Sequence, residues 1–451
     1  MRRPFPWLLA GAYALVLTGL GAWRFAVHRN FVDFGIFEQT VGSAFGCFCN
    51  TVEGSHWAFH FSPILYLAGA LLAVWRSPLA LVALQAVACA LVIPPVYALI
   101  ESRAGSAQAR WGAVIAALYP PLSGLAFGDF HENGLAPAAI VWMLWAFDAD
   151  YLFAAVSAAV LAIAVKEDQA IFVGVAAAVT AWRLRGTRRG RCAALVAAAG
   201  IVAVGAFFLV IQPGAHTVAG WSPARFYAWR AQDVAALFPQ GLLARCGFFA
   251  LAFAPLGFLP LRSRMMWLCV LPLAEVLLSR MSTTYTLGTH YSGAWIGYVL
   301  AAFAFAFRVL PERVNVRASW ICAALCILEF AVANPMHTGL NLRALQARDA
   351  ALDRLLARVP DGAAVATQEE AFSKLALRDP NATVLPDDPT RALRAEYVLI
   401  DRDFPDSPRL AEYGATFDAG VRSGAYTRIA SDGGAELYRK AAILAPSVPG
   451  H

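Results

Sequence analysis

The sequence predicts an α-helical polytopic membrane protein with a small carboxy-terminal α/β domain, and three observations predict it. Hydrophobic residues make up 59% of the 451-residue chain and charged residues only 15%, against about 45–50% and about 25% in soluble domains. Apolar runs recur through the first 335 residues, many near the ~20 residues a helix needs to cross a bilayer. Charge is unevenly spread, with 36 Asp, Glu, Lys and Arg in residues 1–335 and 30 in the much shorter stretch 336–451. A soluble globule, a disordered tail protein and a coiled coil are excluded for most of the chain. Two domains are expected, a transmembrane one at 1–335 and a soluble one at 336–451.

The first run, 7–27, follows Arg2 and Arg3 but is too long for a signal peptide and lacks a small-residue cleavage site, so it reads as a span. Clear spans follow at 79–100, 111–128, 192–211, 241–260, 290–308 and 318–335, with shorter ones at 135–149, 150–165, 169–183 and 265–280. Residues 61–75 (FSPILYLAGALLAVW) rise only about 23 Å as helix, short of the ~30 Å hydrocarbon core. If they lie in the interface, Arg2, Arg3 and the connections 101–110, 183–191, 261–264 and 308–317 put 14 Arg on the cytoplasmic side, against eight Lys and Arg in all the rest of residues 1–335. If they cross, RLRGTRRGR faces outward, against the positive-inside bias. The expectation is about eleven transmembrane helices plus an interfacial helix. The chain is then a multi-pass protein of the cytoplasmic (inner) membrane with its amino terminus on the inner side and residues 336–451 extracytoplasmic.

The soluble domain reads as a helix over 341–358, strands at 363–367, 382–386 and 396–401, and a hairpin over 426–438 that turns at Asp432-Gly433. Six cysteines (Cys89, Cys192, Cys246, Cys269, Cys322, Cys326) stand isolated in apolar runs, as small buried hydrophobes do. Cys47 and Cys49 share a polar loop; one intervening residue leaves a strained disulfide at best, and no pair has zinc spacing. No phosphate-cradling glycine motif occurs. The net charge of +6 comes from the membrane half, with 22 basic and 14 acidic residues. Orientation-setting loops explain that excess, so no nucleic-acid partner is implied.

This topology gathers the ionisable clusters of the membrane half on its outer face. Asp33, Glu38 and His60 fall in the first outer loop, Asp129, His131 and Glu132 in GDFHEN, Lys166, Glu167 and Asp168 in VKEDQ, and His290 opens the tenth span. Charges at membrane depth are costly and usually face a cavity or one another, so the clusters suggest one site for a charged headgroup. Each has a structural alternative. Asp33 can cap a helix, DFHEN can be a polar turn, and Lys166-Glu167-Asp168 can be an internal ion pair. Asp148 and Asp150 read as solvated turn residues on the inner side. Glu275 and Glu329 read as hydrogen-bonding a neighbouring helix.

The order of spans, outer acid, Pro-initiated apolar segment, second outer Asp and later Lys resembles the GT-C glycosyltransferases, which use polyprenyl-phosphate-linked sugars. More closely, D-F-G-I-F-E-Q, H-F-S-P, G-D-F-H-E and K-E-D-Q resemble a family of polytopic prokaryotic membrane proteins known by a domain-of-unknown-function label and grouped with GT-C. The resemblance covers about residues 1–335, with a weaker echo in EYVLID. It implies a GT-C-like fold and a sugar transferase acting on an unknown acceptor at the outer face. Asp33 then matches the first-loop acid, a base or a ligand to metal or acceptor. His60-Phe61-Ser62-Pro63 sits where GT-C relatives often carry Lys-Pro-Pro against the donor phosphate. Asp129 matches the second-loop acid, and Lys166 a phosphate contact. Two departures stand out: Asp33-Phe34 replaces an Asp-Glu pair, and His60 replaces a Lys.

The chemistry implied is inverting transfer, with Asp33 and Asp129 as the catalytic candidates and Asp33 the first choice of base. His60, His131, Glu132, Lys166, Glu38 and His290 are candidates for binding substrate. No cofactor is compelled; Asp33, Asp129 and Glu132 offer hard oxygen ligands to a divalent cation, but no spacing demands one. A catalytically inactive lipid-carrier binding or transport protein on the same scaffold is the alternative. Ion-coupled transport is disfavoured because charges cluster at span ends, whereas transporter sites lie near the midplane.

Overall fold

A computed structural model describes residues 3–215, 224–309, 311–333, 335–336, 343–404 and 407–441. The membrane half opens with α1 (Phe5–Ala26), α2 (Val32–Gly42), α3 (Leu65–Val74), α4 (Pro78–Ala90) and α5 (Ile93–Ala104). It continues with α6 (Ser106–Leu118), α7 (Pro120–Phe127), α8 (Ala136–Asp148), α9 (Leu152–Ile163), α10 (Glu167–Arg183) and α11 (Arg188–Ala206). Among the described residues three helical stretches are long and apolar enough to cross a bilayer: Phe5–Ala26, Pro78–Ala104 and Arg188–Gly214.

Several of the other apolar runs are broken rather than continuous. The run expected at 111–128 divides into α6 and α7 at Pro120-Pro121, whose rings and missing amides end the preceding helix. The run at 241–260 is helical only over Leu242–Phe253 before passing into 3₁₀ turns around Pro255 and Pro260. That at 265–280 is helical over Val270–Leu278, and that at 290–308 enters its helix Ile296–Ala306 through a 3₁₀ turn at His290–Ala294. Within 61–75 only the ten residues of α3 are α-helical, about 15 Å of rise. The Ile64 amide donates to Ala164 O (2.9 Å), tying the start of α3 to the end of α9.

Small residues set the packing. A methyl on Gly200 would sit 2.8 Å from Ala170 O and 3.0 Å from Gly174 Cα, so α10 and α11 approach backbone to backbone. The Thr187 hydroxyl caps α11 by accepting from the Gly190 amide (3.0 Å). At one end of the bundle, Arg3–Glu101 (2.9 Å) ties the amino terminus to α5, Arg103–Asp148 (2.7 Å) ties α5 to the end of α8, and Arg189–Asp150 (2.8 Å) ties the start of α11 to the loop after α8. Asp148 and Asp150 are therefore ion-paired rather than merely solvated. Glu275 and Glu329 also depart from expectation: the buried Oε2 of the first and Oε1 of the second have no hydrogen-bond partner among the described residues.

The loop after α2 contains a disulfide between Cys47 and Cys49 and a short hairpin, β1 (Cys49–Asn50) with β2 (Gly54–Ser55). The carboxy-terminal segment forms a five-stranded sheet of β3 (Val365–Thr367), β4 (Thr383–Val384), β5 (Tyr397–Asp401), β6 (Tyr426–Asp432) and β7 (Ala435–Lys440), in the order β4-β3-β5-β7-β6. β3 runs parallel to β4 and β5, and β7 antiparallel to β5 and β6. Gly433 turns the β6–β7 hairpin at φ +57°. The expected helix over 341–358 spans Ala347–Leu356; its first two positions, 341–342, lie outside the described residues. Two helices were not anticipated, Glu369–Leu375 and Pro408–Arg422.

Glu369–Leu375 seats this segment on α2. A Cβ on Gly35 would overlap the Phe372 ring, and Ile36 joins the apolar core of the sheet. Gln39 Nε2 and Thr51 Oγ1 both donate to Ala382 O (2.8 and 2.6 Å), and Arg76 donates to Leu377 O (3.2 Å). Buried His28, beyond the end of α1, lies between Asp349 (3.5 Å) and Asp353 (2.9 Å).

Candidate functional site

The loop after α1 and the turn between α7 and α8 are joined through Asp129. Its carboxylate lies 3.0 Å from Arg24 Nη1, accepts from Asn30 Nδ2 (2.8 Å) and accepts from the Phe31 amide (2.9 Å). Both oxygens are engaged. Gln85, a single amide in the apolar α4, holds the same turn from below. Its Nε2 donates to the carbonyls of Leu125 (2.9 Å), Gly128 and Asp129 (both 3.1 Å), and its Oε1 accepts from the His131 amide (2.9 Å). The GDFHEN turn is thereby fixed at its backbone.

Asp33 lies in the first turn of α2. The residue at the cap position is Phe31, so Asp33 is not the N-cap. Its side chain is 45% exposed, and its Oδ2 stands 3.9 Å from His290 Nδ1. The His290 ring stacks on His131, with centroids 3.9 Å apart and planes within 5°. His131 Nδ1 is 2.7 Å from Glu132 Oε2, and Glu132 Oε1 is 3.8 Å from Lys166 Nζ, which is also 3.9 Å from Asp168 Oδ2. Lys166 occupies the cap position of α10 in extended backbone. One residue on, Glu167 grips the first loop. Its Oε1 is 2.8 Å from His60 Nδ1 and its Oε2 accepts from the Phe61 amide (2.9 Å).

Asp33, His60, His131, Glu132, Lys166 and His290 thus belong to one connected set drawn from four distant stretches of chain. Glu38 does not join it by contact. It is fully buried in α2, both of its oxygens lack a hydrogen-bond partner among the described residues, and its charged neighbours are Asp129 and Lys374. That places Glu38 at the seam with the carboxy-terminal segment. Asp33, Asp129 and Glu132 do not form a cation site, since Arg24 already neutralises Asp129. Among the described residues no group of three His, Cys, Asp or Glu is arranged to hold a metal ion.

Burial dominates the electrostatics. Although the Asp33 side chain is 45% exposed, the protein packed around it keeps enough water away to push its carboxyl up to about 6, with the charges of Asp129 and Glu132 adding to the rise. Burial also raises Asp129, against the opposing pull of Arg24. Burial and the nearby Lys166 ammonium bring His60 down to about 3 and hold His131 well below the usual histidine range, so both rings are neutral. Burial works against the charge on Lys166, but Asp168, Glu132 and Glu167 outweigh it and keep the ammonium protonated.

The sequence reading missed Arg24, Gln85, Glu53 and His56. A lone Gln in the run PLALVALQAVACA was a signal available in advance, because an amide in hydrocarbon needs partners. Glu53 lies in the turn of the β1–β2 hairpin and His56 just after it, and only the fold brings them near Glu132 and Lys166. Glu53 is pushed up to about 7 by burial, with Asp33 and Glu132 among its neighbours.

A family profile described as "Predicted membrane protein (DUF2079)" matches residues 29–437. Among solved structures, the chain resembles ArnT from Cupriavidus metallidurans bound to undecaprenyl phosphate. The TM-score is 0.56 at 13% identity, over 97% of this chain and 98% of that one. The apo form of the same protein gives a TM-score of 0.53 at 13% identity, over 96% and 97%. No curated protein sequence matches the chain. These likenesses are to the fold alone.

Proposed function

This chain belongs to the DUF2079 family of predicted membrane proteins, and we propose that it moves a sugar from a polyprenyl-phosphate donor to an acceptor at the outer face of the cytoplasmic membrane. The observation that carries this reading is the contact chain from Asp33 through His290, His131 and Glu132 to Lys166. It joins a half-exposed carboxylate and a buried ammonium in one polar cluster. The fold it shares with a protein solved with undecaprenyl phosphate bound supports the lipid carrier.

In the proposed reaction Asp33 takes the acceptor hydroxyl proton as that oxygen bonds to the anomeric carbon. The bond from that carbon to the phosphate oxygen breaks, and the lipid phosphate leaves with the electron pair. Lys166 stabilises the departing phosphate in a water-poor site, where fixed charge acts strongly. His60 and His131 turn Nδ1 to the Glu167 and Glu132 carboxylates, so as neutral rings each offers Nε2 as an acceptor to a sugar hydroxyl. Asp129 is reassigned from catalysis to positioning, because Arg24, Asn30 and the Phe31 amide occupy it. The proposal keeps the amino terminus inside, about eleven crossings, and residues 336–451 outside as a separate domain.

One observation favours a second reading, a scaffold that binds a lipid carrier without transferring sugar. Lys166 already faces Glu132 and Asp168, which compete with a phosphate for it. The test is to purify the full chain and Asp33→Asn, identify co-purified lipid by mass spectrometry, and incubate each with undecaprenyl-phosphate-linked sugars. Sugar transfer predicts polyprenyl phosphate released by the parent and not by the variant, with lipid bound to both. Lipid bound to both with no sugar-lipid consumed by either supports the second reading and overturns the first.

A further inference from the structure

The loop between α2 and α3 holds the one disulfide among the described residues, and its surroundings are unusual. Cys47 is exposed and Cys49 half-buried. Phe48 between them is buried to 1% and adopts φ +48°, a left-handed conformation that a bulky residue holds only when its surroundings impose it. The ring is packed on three sides. It stacks on Tyr66 at 5.1 Å and 20°, and lies 5.0 Å from His56 and 5.1 Å from Trp57. Ser43 closes the turn from below: its carbonyl accepts from the Phe48 amide (3.0 Å), and its hydroxyl accepts from the Cys49 amide (3.0 Å) and donates to Cys49 O (2.9 Å).

From this turn a backbone path leads to the candidate site. Phe48 O accepts from the His56 amide (2.9 Å), and His56 O accepts from the His60 amide (2.9 Å). His60 then meets Glu167 at 2.8 Å, one residue from Lys166. A crosslink that closes so small a loop removes little chain entropy from the unfolded state. Its effect is therefore local, on the turn it closes, rather than on the stability of the whole chain.

We propose that Cys47–Cys49 is a thiol–disulfide exchange site, whose oxidised form holds Phe48 in its pocket and thereby delivers His60 to Glu167. The co-reactant is a dithiol. Its thiolate attacks the exposed Cys47 Sγ, the Cys47–Cys49 bond breaks, and Cys49 leaves as a thiolate that takes a proton. The second thiol of the reductant then displaces Cys47 from the mixed disulfide. Two protein thiols and one oxidised reductant remain, a balanced two-electron exchange. Released from the crosslink, Phe48 can leave the left-handed region, and the 43–60 loop loosens where it feeds the site. The link to catalysis rests on the sugar-transfer reading; the exchange and the loosening do not.

The test uses the full chain in lipid nanodiscs, treated with dithiothreitol under native conditions. Thiols are counted by maleimide mass tagging, and amide hydrogen exchange is followed by mass spectrometry. Two additional tags on the peptide carrying Cys47 and Cys49, with exchange across 43–60 faster by about tenfold or more and α4–α5 unchanged, is the expected result. Cys47→Ser/Cys49→Ser should exchange at the fast rate without reductant and respond to it no further. A disulfide that resists dithiothreitol until the protein is denatured overturns the exchange site. Reduction that leaves 43–60 exchange unchanged overturns the latch. Neither readout needs a sugar substrate, so absence of transfer activity leaves both outcomes legible. Equal transfer by oxidised and reduced protein would remove the latch while leaving transfer in place.

Discussion

The Asp129 carboxylate and the Arg24 guanidinium lie 3.0 Å apart with side chains only 11% and 5% exposed, so the end of α1 and the turn between α7 and α8 are locked by one buried ion pair. Removing one partner leaves an uncompensated buried charge, which costs about 3–5 kcal/mol. Asp129→Ala should therefore lower the thermal midpoint in detergent sharply. Replacing both partners with apolar residues, Arg24→Met with Asp129→Leu, should recover much of that loss. A stable Asp129→Ala protein that is merely inactive would return Asp129 to the catalytic set.

Asp33 is expected to behave differently. Asp33→Asn should retain the folded protein and its bound lipid while transfer falls by about 10²–10⁴-fold, the usual contribution of a general base. The sign of the pH dependence follows from a carboxyl raised to about 6 by burial and by Asp129 and Glu132. The base is the ionised form, so activity should rise with pH through about 6 and be lost below it. A rate that is flat from pH 5 to pH 8 would remove Asp33 from that role.

Lys166 supplies the ammonium of the connected set. Lys166→Gln should weaken binding of undecaprenyl phosphate, measured by native mass spectrometry, by about tenfold to a hundredfold, as losing a charged hydrogen-bond partner does. It should also leave Glu132 and Asp168 facing each other with no cation between them. Unchanged lipid-phosphate affinity would show that the headgroup binds elsewhere.

The seam between α2 and the carboxy-terminal sheet makes a prediction of its own. Phe372 is fully buried against Gly35, so Phe372→Ala should cost about 3–5 kcal/mol and speed hydrogen exchange in α2. Burial alone would raise Asp349; hydrogen bonds from Arg343 and the Gln346 amide outweigh it and bring the carboxyl down to about 2. Asp353 is likewise lowered, with His28 and Lys374 overcoming its burial. Carboxyls depressed in the folded state stabilise it above the ordinary carboxylate range and lose that contribution as pH falls through their folded values. The docked segment should therefore become exchange-labile between about pH 4 and pH 2, and stay protected at pH 7. Loosening instead as pH rises toward 8 would contradict this origin.

The sequence by itself determined what local composition can determine. Apolar run length and charge density marked the membrane half, β-branched runs and Asp432-Gly433 marked the strands and turn of the sheet, and four short polar motifs named most of the candidate site. These signals are written in neighbouring residues. What only the tertiary structure decided is which polar atoms are already satisfied. Asp33 and Asp129 look alike in a sequence, yet Arg24, about a hundred residues away in the chain, occupies one and leaves the other half-open. Proline breaks such as Pro120-Pro121 split runs that hydropathy joins, because hydropathy sums side chains and ignores the backbone amide that proline lacks. The helix Glu369–Leu375 was hidden for a similar reason: it is held by Gly35 and Ile36 of a distant helix rather than by its own pattern. Burial, partner and pKa are properties of proximity, and proximity between residues a hundred or more positions apart is set by packing.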